Sequence, residues 1–193
     1  MSAGIWLRQV RYRRSFKNEE RMRALVVYES LWGNTEKVAR AIGDALASHG
    51  TVDIFDSDAA PSSTDGYEIL VVGAPTHAFS MSRRSTRADA VKSHAAPHEP
   101  VKGVREWLAD LHRPSVKTPT LVFDTRVDQP RLPGSAAKAA RHDLHDLGFD
   151  TSVLQQTFRV HGYEGPLLEG EIQRAIAWVS ENLTSLNTRP RAA

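Results

Sequence analysis

The feature that most constrains the fold is a regular alternation of strand-like and helix-like segments from Met22 onward. Residues 24–28 form a continuous apolar run, which is typical of a strand covered on both faces. Apolar residues at helical spacing follow from about Thr35, and we expect Gly50 to end that helix. Parallel neighbouring strands need crossover connections, so this alternation predicts an α/β fold with a parallel sheet.

The rest of the chain continues the pattern. Four further strands are expected at residues 52–55, 67–72, 120–123 and 153–160. Further helices are expected over residues 101–111, 137–147 and 168–183. Residues 76–100, rich in Ser, Arg and His, are predicted to form a long irregular loop. Loops of that length are usually functional or disordered.

The charge is divided unevenly along the chain. Residues 1–21 contain six basic and two acidic side chains, whereas the remainder contains 19 basic and 21 acidic ones. We therefore expect a basic leader over residues 1–21 that is disordered or not native. One domain is predicted over residues 22–186, with a disordered tail over residues 187–193. Because the domain itself is not basic, nucleic acid is not an expected partner.

Three absences narrow the possible functions. The sequence contains no cysteine, which excludes disulfides, thiolate metal sites and a cysteine nucleophile, and is compatible with a cytoplasmic protein. No apolar run approaches the roughly 20 residues of a membrane-spanning helix, so no membrane association is expected. No cluster of residues has convincing metal-ligand spacing, and no metal is predicted.

The loop after the first strand carries the clearest functional signal. It joins a strand directly to a helix N-terminus, where unpaired backbone N–H groups and the helix dipole favour an anion. Gly33 would let the backbone approach an oxyanion, and the hydroxyls of Ser30 and Thr35 can donate hydrogen bonds. Asn34 has a second interpretation, as the N-cap of the helix. The complete candidate loop is Ser30, Leu31, Trp32, Gly33, Asn34 and Thr35.

Two other loops are expected to meet this one. In an open α/β sheet, ligands bind beyond the carboxyl ends of the strands, where the strand order reverses. The loop after the third strand contributes Pro75, Thr76, His77, Ala78 and Phe79 as candidates. The loop after the fourth strand contributes Asp124, Thr125 and Arg126.

These loops resemble those of the flavodoxin family. Residues 30–35 resemble the flavodoxin phosphate loop, Ser/Thr-x-x-Gly-Asn-Thr, and residues 73–76 resemble its second loop, Gly-x-Pro-Thr. The resemblance extends from Arg23 to about Leu183. It implies a doubly wound, five-stranded parallel sheet of order 2-1-3-4-5 with helices on both faces, and flavin mononucleotide (FMN) as cofactor.

The resemblance also implies a division of labour within the site. Residues 30–35 would hold the phosphate, residues 76–79 would line one side of the isoalloxazine ring, and residues 124–126 would border the other. Three positions depart from the usual pattern. Trp32 replaces a phosphate-binding hydroxyl, His77 replaces a common tryptophan, and no tyrosine follows the fourth strand. Stacking on the ring would therefore depend on Phe79, or the ring would have no aromatic partner.

Two further hypotheses concern charge around the flavin. His77 is a candidate catalytic residue, because it could give a proton or a hydrogen bond to the ring as the ring is reduced. The second concerns Arg83, Arg84 and Arg87, which lie close to His77 in sequence. Positive charge there would make the flavin potential less negative than in acidic flavodoxins. Alternatively, these arginines are solvated or pair with Asp89 and Glu99.

The expected function is electron transfer by an FMN-binding, flavodoxin-like protein. A carrier is favoured over a small nicotinamide-dependent reductase of flavin or quinone, because no second, nicotinamide-binding domain is evident. The alternative is a cofactor-free interaction domain, in which residues 76–100 would contact the partner. The electron donor, the electron acceptor and the oligomeric state stay open.

Overall fold

The computed structural model describes residues 22–129 and 133–187. These residues form six strands: β1 Met22–Tyr28, β2 Gly50–Asp56, β3 Ile69–His77, β4 Ser80–Met81, β5 Thr120–Val127 and β6 Gln156–Val160. Five helices accompany them: α1 Asn34–Ala47, α2 Arg84–His94, α3 Val104–Asp110, α4 Ala136–Leu147 and α5 Glu171–Asn187. The predicted leader, and the predicted tail beyond Asn187, lie outside the described residues.

The sheet has the predicted topology. Its strands lie in the order β2-β1-β3-β5-β6, all parallel, with β4 added as a short antiparallel partner of β3. Without β4, this is the predicted order 2-1-3-4-5. The chain reverses its winding between β1 and β3, so their carboxyl ends frame the crevice in which a ligand is expected.

Helices cover both faces of the sheet, which explains why β1 is apolar throughout. Ala24, Val26 and Tyr28 pack into a core with α1 and α5. Leu25 and Val27 point to the opposite face and pack into a second core with α3 and α4. Successive side chains of a strand alternate between faces, so a strand between two helical layers has no polar face.

Strand β3 is longer than predicted at its carboxyl end. The prediction ended it at Val72, whereas the strand continues through the Gly-Ala-Pro segment to His77. A Cβ atom at Gly73 would lie 2.1 Å from the ring of Phe123 on β5. Glycine therefore serves here to admit an aromatic ring from the neighbouring strand, and it does not mark a turn.

The expected stop at Gly50 is also wrong. Helix α1 ends at Ala47 with Ser48 as its C-cap, and Gly50 is the first residue of β2. A Cβ atom at Gly50 would lie 1.9 Å from the Met22 carbonyl oxygen. Close packing of β2 against β1, and not helix termination, requires glycine at this position.

The predicted irregular loop over residues 76–100 contains regular structure. A two-residue turn at Ala78 and Phe79 joins β3 to β4, and both residues adopt positive φ, 44° and 71°. Helix α2 follows, with Arg87 and Ala90 as its buried residues. Two-residue hairpin turns usually carry Asn or Gly, and this one carries neither. Helix α2 buries an arginine and therefore lacks a strong apolar face. Neither element is therefore visible in the sequence pattern.

Candidate functional site

A small pocket lies where β1 leads into α1. Its volume is about 40 Å³, which is room for a small anion or a few water molecules. Its lining residues are Ser30, Leu31, Trp32, Asn34, Thr35, Pro75, Thr76, Thr125, Arg126, Val127, Val160, Gly162 and Tyr163. The structure thus brings together predicted residues from all three loops.

The pocket offers hydrogen-bond donors to an anion. Gly33 is the N-cap of α1 with φ 81°, and the backbone N–H groups of the first helical turn have no intrahelical acceptor. Within the described residues, the Ser30 hydroxyl oxygen and the Trp32 indole nitrogen are buried without a hydrogen-bond partner. Buried polar groups are rarely left unpaired, so these two groups are suited to an acceptor that enters the pocket.

Asn34 and Thr35 bind other parts of the protein. Gly33 occupies the N-cap position, so the interpretation of Asn34 as the N-cap is wrong. The Asn34 side-chain amide donates instead to the Glu164 carbonyl at 2.9 Å. The Thr35 hydroxyl lies 2.7 Å from that of Thr125. These contacts hold the start of α1 against β5 and against the segment that follows β6.

A larger cavity adjoins the small pocket and has a volume of about 490 Å³. Ligand sites for small organic molecules commonly have this size. Both cavities are lined by Trp32, Thr76, Arg126, Val127, Gly162 and Tyr163. The larger one is also lined by His77, Ala78, Phe79, Thr86, Asp89, Ala90, His94, Gln129 and Pro133.

Aromatic side chains surround the larger cavity. Trp32 stacks on His77 with ring centroids 6.0 Å apart, and Tyr163 stacks on His94 at 4.4 Å. Phe79 is 53% exposed. Trp32 and Tyr163 line the cavity together with Phe79, so three aromatic residues are available for stacking on a ring there. Tyr163 could have been found, because it follows a strand whose carboxyl end lies at the same edge of the sheet.

The turn that presents Phe79 is strained and firmly held. Positive φ is unfavourable for both Ala78 and Phe79. Arg105 donates to the Met81 carbonyl at 2.9 Å and to the Ser80 hydroxyl at 3.2 Å. Gly134, also at positive φ, packs so closely that a Cβ atom there would lie 2.0 Å from the Phe79 carbonyl oxygen. These contacts hold the backbone of the turn that carries Phe79.

His77 is held in its neutral form. Burial, together with the nearby Arg87 guanidinium, lowers the pKa of His77 from 6.5 to about 4. At neutral pH the imidazole can donate one hydrogen bond, but it carries no extra proton. This weakens the hypothesis that a charged His77 gives a proton to the ring.

The lowered pKa predicts a pH effect on stability. Between about pH 6.5 and 4, the unfolded chain binds a proton at His77 that the folded protein does not. The stabilisation associated with neutral His77 is therefore present above pH 6.5 and is lost as the pH falls toward 4. The His77→Gln variant lacks this titration. Its free energy of unfolding should therefore fall less steeply than that of the wild type as the pH decreases, with a difference in slope of up to about 1.4 kcal/mol per pH unit.

Urea unfolding at several pH values between 4.5 and 7.5 measures this difference. Gln173→Asn is the control, because Gln173 is exposed on α5 and does not titrate, so its replacement should leave the slope unchanged. Parallel pH curves for wild type and His77→Gln would contradict the lowered pKa.

Asp124 does not lie at the cavity. It belongs to β5, not to a loop, and its side chain is completely buried. One carboxylate oxygen accepts hydrogen bonds from the Thr76 hydroxyl (2.9 Å), the Ser135 hydroxyl (2.6 Å) and the Ala137 N–H (3.2 Å). Asp124 therefore connects β3 to the beginning of α4, and it is not among the residues that line either cavity.

The three clustered arginines do not line either cavity. Arg83 and Arg84 are exposed at the start of α2. Arg87 is 1% exposed and pairs with Glu106 at 3.0 Å. Arg87 therefore pairs with Glu106 and not with Asp89 or Glu99, the partners suggested from the sequence. Its positive charge lies in the protein interior.

Glu29 completes a buried polar network that the sequence did not indicate. It precedes Ser30 directly, is fully buried, and accepts the Val104 N–H at 2.9 Å. Burial raises the pKa of the Glu29 carboxyl group. A Cβ atom at Gly103 would lie 2.5 Å from the Arg87 guanidinium and 2.7 Å from Glu29. The network packs α2 and α3 tightly beneath the first loop.

One group of possible metal ligands lies away from the cavities. Ligand atoms of Asp56, Asp58 and His98 lie within 4.8 Å of one another. The Asp58 carboxylate already accepts the N–H groups of Val101 and Lys102. These bonds give Asp58 a structural role at the turn before α3.

Comparisons with known proteins agree with this architecture. A family model for flavodoxins matches residues 26–90. No curated protein matches the sequence significantly. Oxidised flavodoxin 1 from Bacillus cereus is 14% identical, with a TM-score of 0.60 over 84% of this chain and 97% of that chain. A flavodoxin from the Archaea is 16% identical, with a TM-score of 0.55 over 86% of this chain and 99% of that chain.

A larger protein contains the same architecture as one part. Rubredoxin oxygen:oxidoreductase from Desulfovibrio gigas is 16% identical, with a TM-score of 0.56. The match covers 89% of this chain and 39% of that one. At such identities the structural likeness shows the fold alone.

The matched residues 26–90 include the loop of residues 30–35 and the Gly-Ala-Pro-Thr segment. The chain is therefore flavodoxin-like, in fold over the described residues and in sequence over residues 26–90. No helix among the described residues is both long and apolar enough to cross a membrane.

Proposed function

We propose that this protein binds FMN in the two adjoining cavities and acts in electron transfer. The observation that carries the proposal is the small pocket at the start of α1. There the buried Ser30 hydroxyl lacks a partner among the described residues, beside a helix N-terminus that favours anions. The family match over residues 26–90 supports the same assignment.

The residues fit a phosphate monoester joined to a planar ring. The small pocket supplies neutral donors and one guanidinium, Arg126, and no carboxylate lines it among the described residues. The larger cavity begins at the same wall and is flanked by Trp32, His77 and Tyr163. Aromatic faces of this kind favour stacking with a flat ring.

Each part of the chain would have a separate task. The first loop would bind the phosphate, and the residues from Thr76 to Phe79 would cover one side of the ring. Tyr163 and Arg126 would border the opposite side. When bound, FMN would supply the redox chemistry, and the protein would supply binding, orientation and nearby charge.

Titration of the purified protein with FMN, followed by flavin fluorescence, tests the proposal. We expect saturable quenching in the wild type. Ser30→Ala should weaken binding about tenfold to a hundredfold, because it removes a hydrogen bond to a charged group. Ser48→Ala is the control, since Ser48 is exposed at the opposite end of α1. Its affinity should equal that of the wild type.

Other results would redirect the assignment. Absence of quenching in a protein with a normal thermal unfolding transition would refute FMN binding and favour the cofactor-free interaction domain. If FMN binds, addition of a reduced nicotinamide under anaerobic conditions separates the two remaining alternatives. The flavin absorbance of a small reductase should bleach under these conditions. The flavin of a carrier should stay oxidised, because a carrier accepts electrons from a protein donor.

A further inference from the structure

Arg126 occupies a special position between the two cavities. It lies near the carboxyl end of β5 and lines both the 40 Å³ pocket and the 490 Å³ cavity. Among the described residues that line either cavity, it is the one side chain with a permanent positive charge. Any ligand that joins a phosphate in the small pocket to a ring in the larger cavity passes this guanidinium.

The side chain is held in place by the protein. Its Nη1 atom donates a hydrogen bond of 2.7 Å to the Gly134 carbonyl. Gly134 in turn packs directly on the backbone of Phe79. The charge is therefore oriented before a ligand arrives, and little rotamer entropy is lost when it acts on that ligand.

Among the described residues, one acidic side chain lines the cavities. Asp89 is the one acidic side chain among the described lining residues, and it accepts a hydrogen bond from Ser93 at 2.9 Å on the exposed side of α2. His77 and His94 are the titratable bases there, and His77 is neutral at neutral pH. The formal charges at neutral pH among the described lining residues are therefore those of Arg126 and Asp89.

We propose that Arg126 makes the bound flavin easier to reduce, by stabilising the negative charge that the ring gains. The inference rests on FMN binding as proposed above. Two-electron reduction of FMN with uptake of one proton at N5 leaves an anionic ring. A guanidinium beside the ring favours this product over the uncharged oxidised ring. Sequence proximity suggested Arg83, Arg84 and Arg87 for this role, whereas the structure assigns it to Arg126.

The test compares the FMN affinities of the oxidised and reduced forms, which together determine the shift in reduction potential. Both dissociation constants are measured anaerobically, with dithionite as reductant, and the midpoint potential is determined by spectroscopic titration. We expect Arg126→Gln to weaken binding of reduced FMN about tenfold more than binding of oxidised FMN. Its midpoint potential should become more negative. Arg126→Lys, which keeps the charge, should restore most of the difference.

Arg84→Gln is the matched control. Arg84 is exposed and does not line either cavity, so its removal should leave the potential unchanged. Equal weakening of both redox forms by Arg126→Gln would overturn the inference, because it would assign Arg126 to the phosphate alone. An unchanged affinity ratio would overturn it as well. Failure of the wild type to bind FMN would instead refute the proposed function, so the two failures are distinguishable.

Discussion

Replacing Arg87 with methionine should lower the free energy of unfolding by about 3–5 kcal/mol. The guanidinium is almost completely buried and donates to the Ser82 hydroxyl, the Pro100 carbonyl and Glu106 at 2.8–3.0 Å. Methionine fills similar space but provides no donor, so these acceptors lose their partner. Unpaired buried acceptors are costly. Urea denaturation at pH 7 measures the loss.

Two further variants make this prediction specific. Arg84→Met removes an exposed arginine from the same helix and should change stability by less than about 0.5 kcal/mol. Adding Glu106→Gln to Arg87→Met should recover part of the loss, because one uncompensated charge disappears with it. A loss below about 1 kcal/mol for Arg87→Met would show that the buried network contributes little.

The second large effect is expected for Asp124→Ala. This change removes the shared acceptor of Thr76, Ser135 and the Ala137 N–H, in a fully buried place. Several unpaired donors together should destabilise the protein by about 3–5 kcal/mol. Because the hydrogen bond from Thr76 is among them, FMN affinity should fall as well. Thermal and urea unfolding measure the first effect, and flavin fluorescence measures the second.

Asp124→Asn and Asp44→Ala are the controls for this site. Asparagine keeps one carbonyl oxygen of similar shape, so its effect should be smaller than that of alanine. Asp44 is exposed on α1, and its replacement should be nearly neutral. If Asp124→Ala loses FMN affinity without losing stability, Asp124 has a direct role at the ligand that its buried position does not suggest.

Local sequence pattern was sufficient to predict the five-stranded parallel sheet and helices α1, α3, α4 and α5. The apolar run of β1 and the apolar face of α1 each reflect burial of one segment against its neighbours. Similar patterns mark the other strands and helices that bury one or both faces. Parallel order then follows from the crossover rule. The candidate anion site at residues 30–35 could also be predicted, because helix N-termini bind anions through groups that lie within a few residues of one another.

The functions of individual side chains were harder to predict. In the sequence, Arg87 has the features of a surface arginine in a polar segment. Its burial becomes evident only from the tertiary structure, in which it pairs with Glu106 on α3. Asp124 reads as a loop acid, but the start of α4 provides its partners from residues 135–137. In both cases the partners are distant in sequence or belong to another element, and no local pattern records them.

The sequence by itself determined the flavodoxin-like sheet and the loop that meets α1, because both depend on residues close together in the chain. Only the tertiary structure decided what surrounds that loop. Phe79 and Tyr163 line the same cavity although they are far apart in sequence. The same holds for Arg126, which lines both cavities together with residues of other loops. The position of helix α2 likewise depends on distant segments. Their positions follow from packing on a common sheet edge, a property of the whole fold that short-range periodicity does not encode.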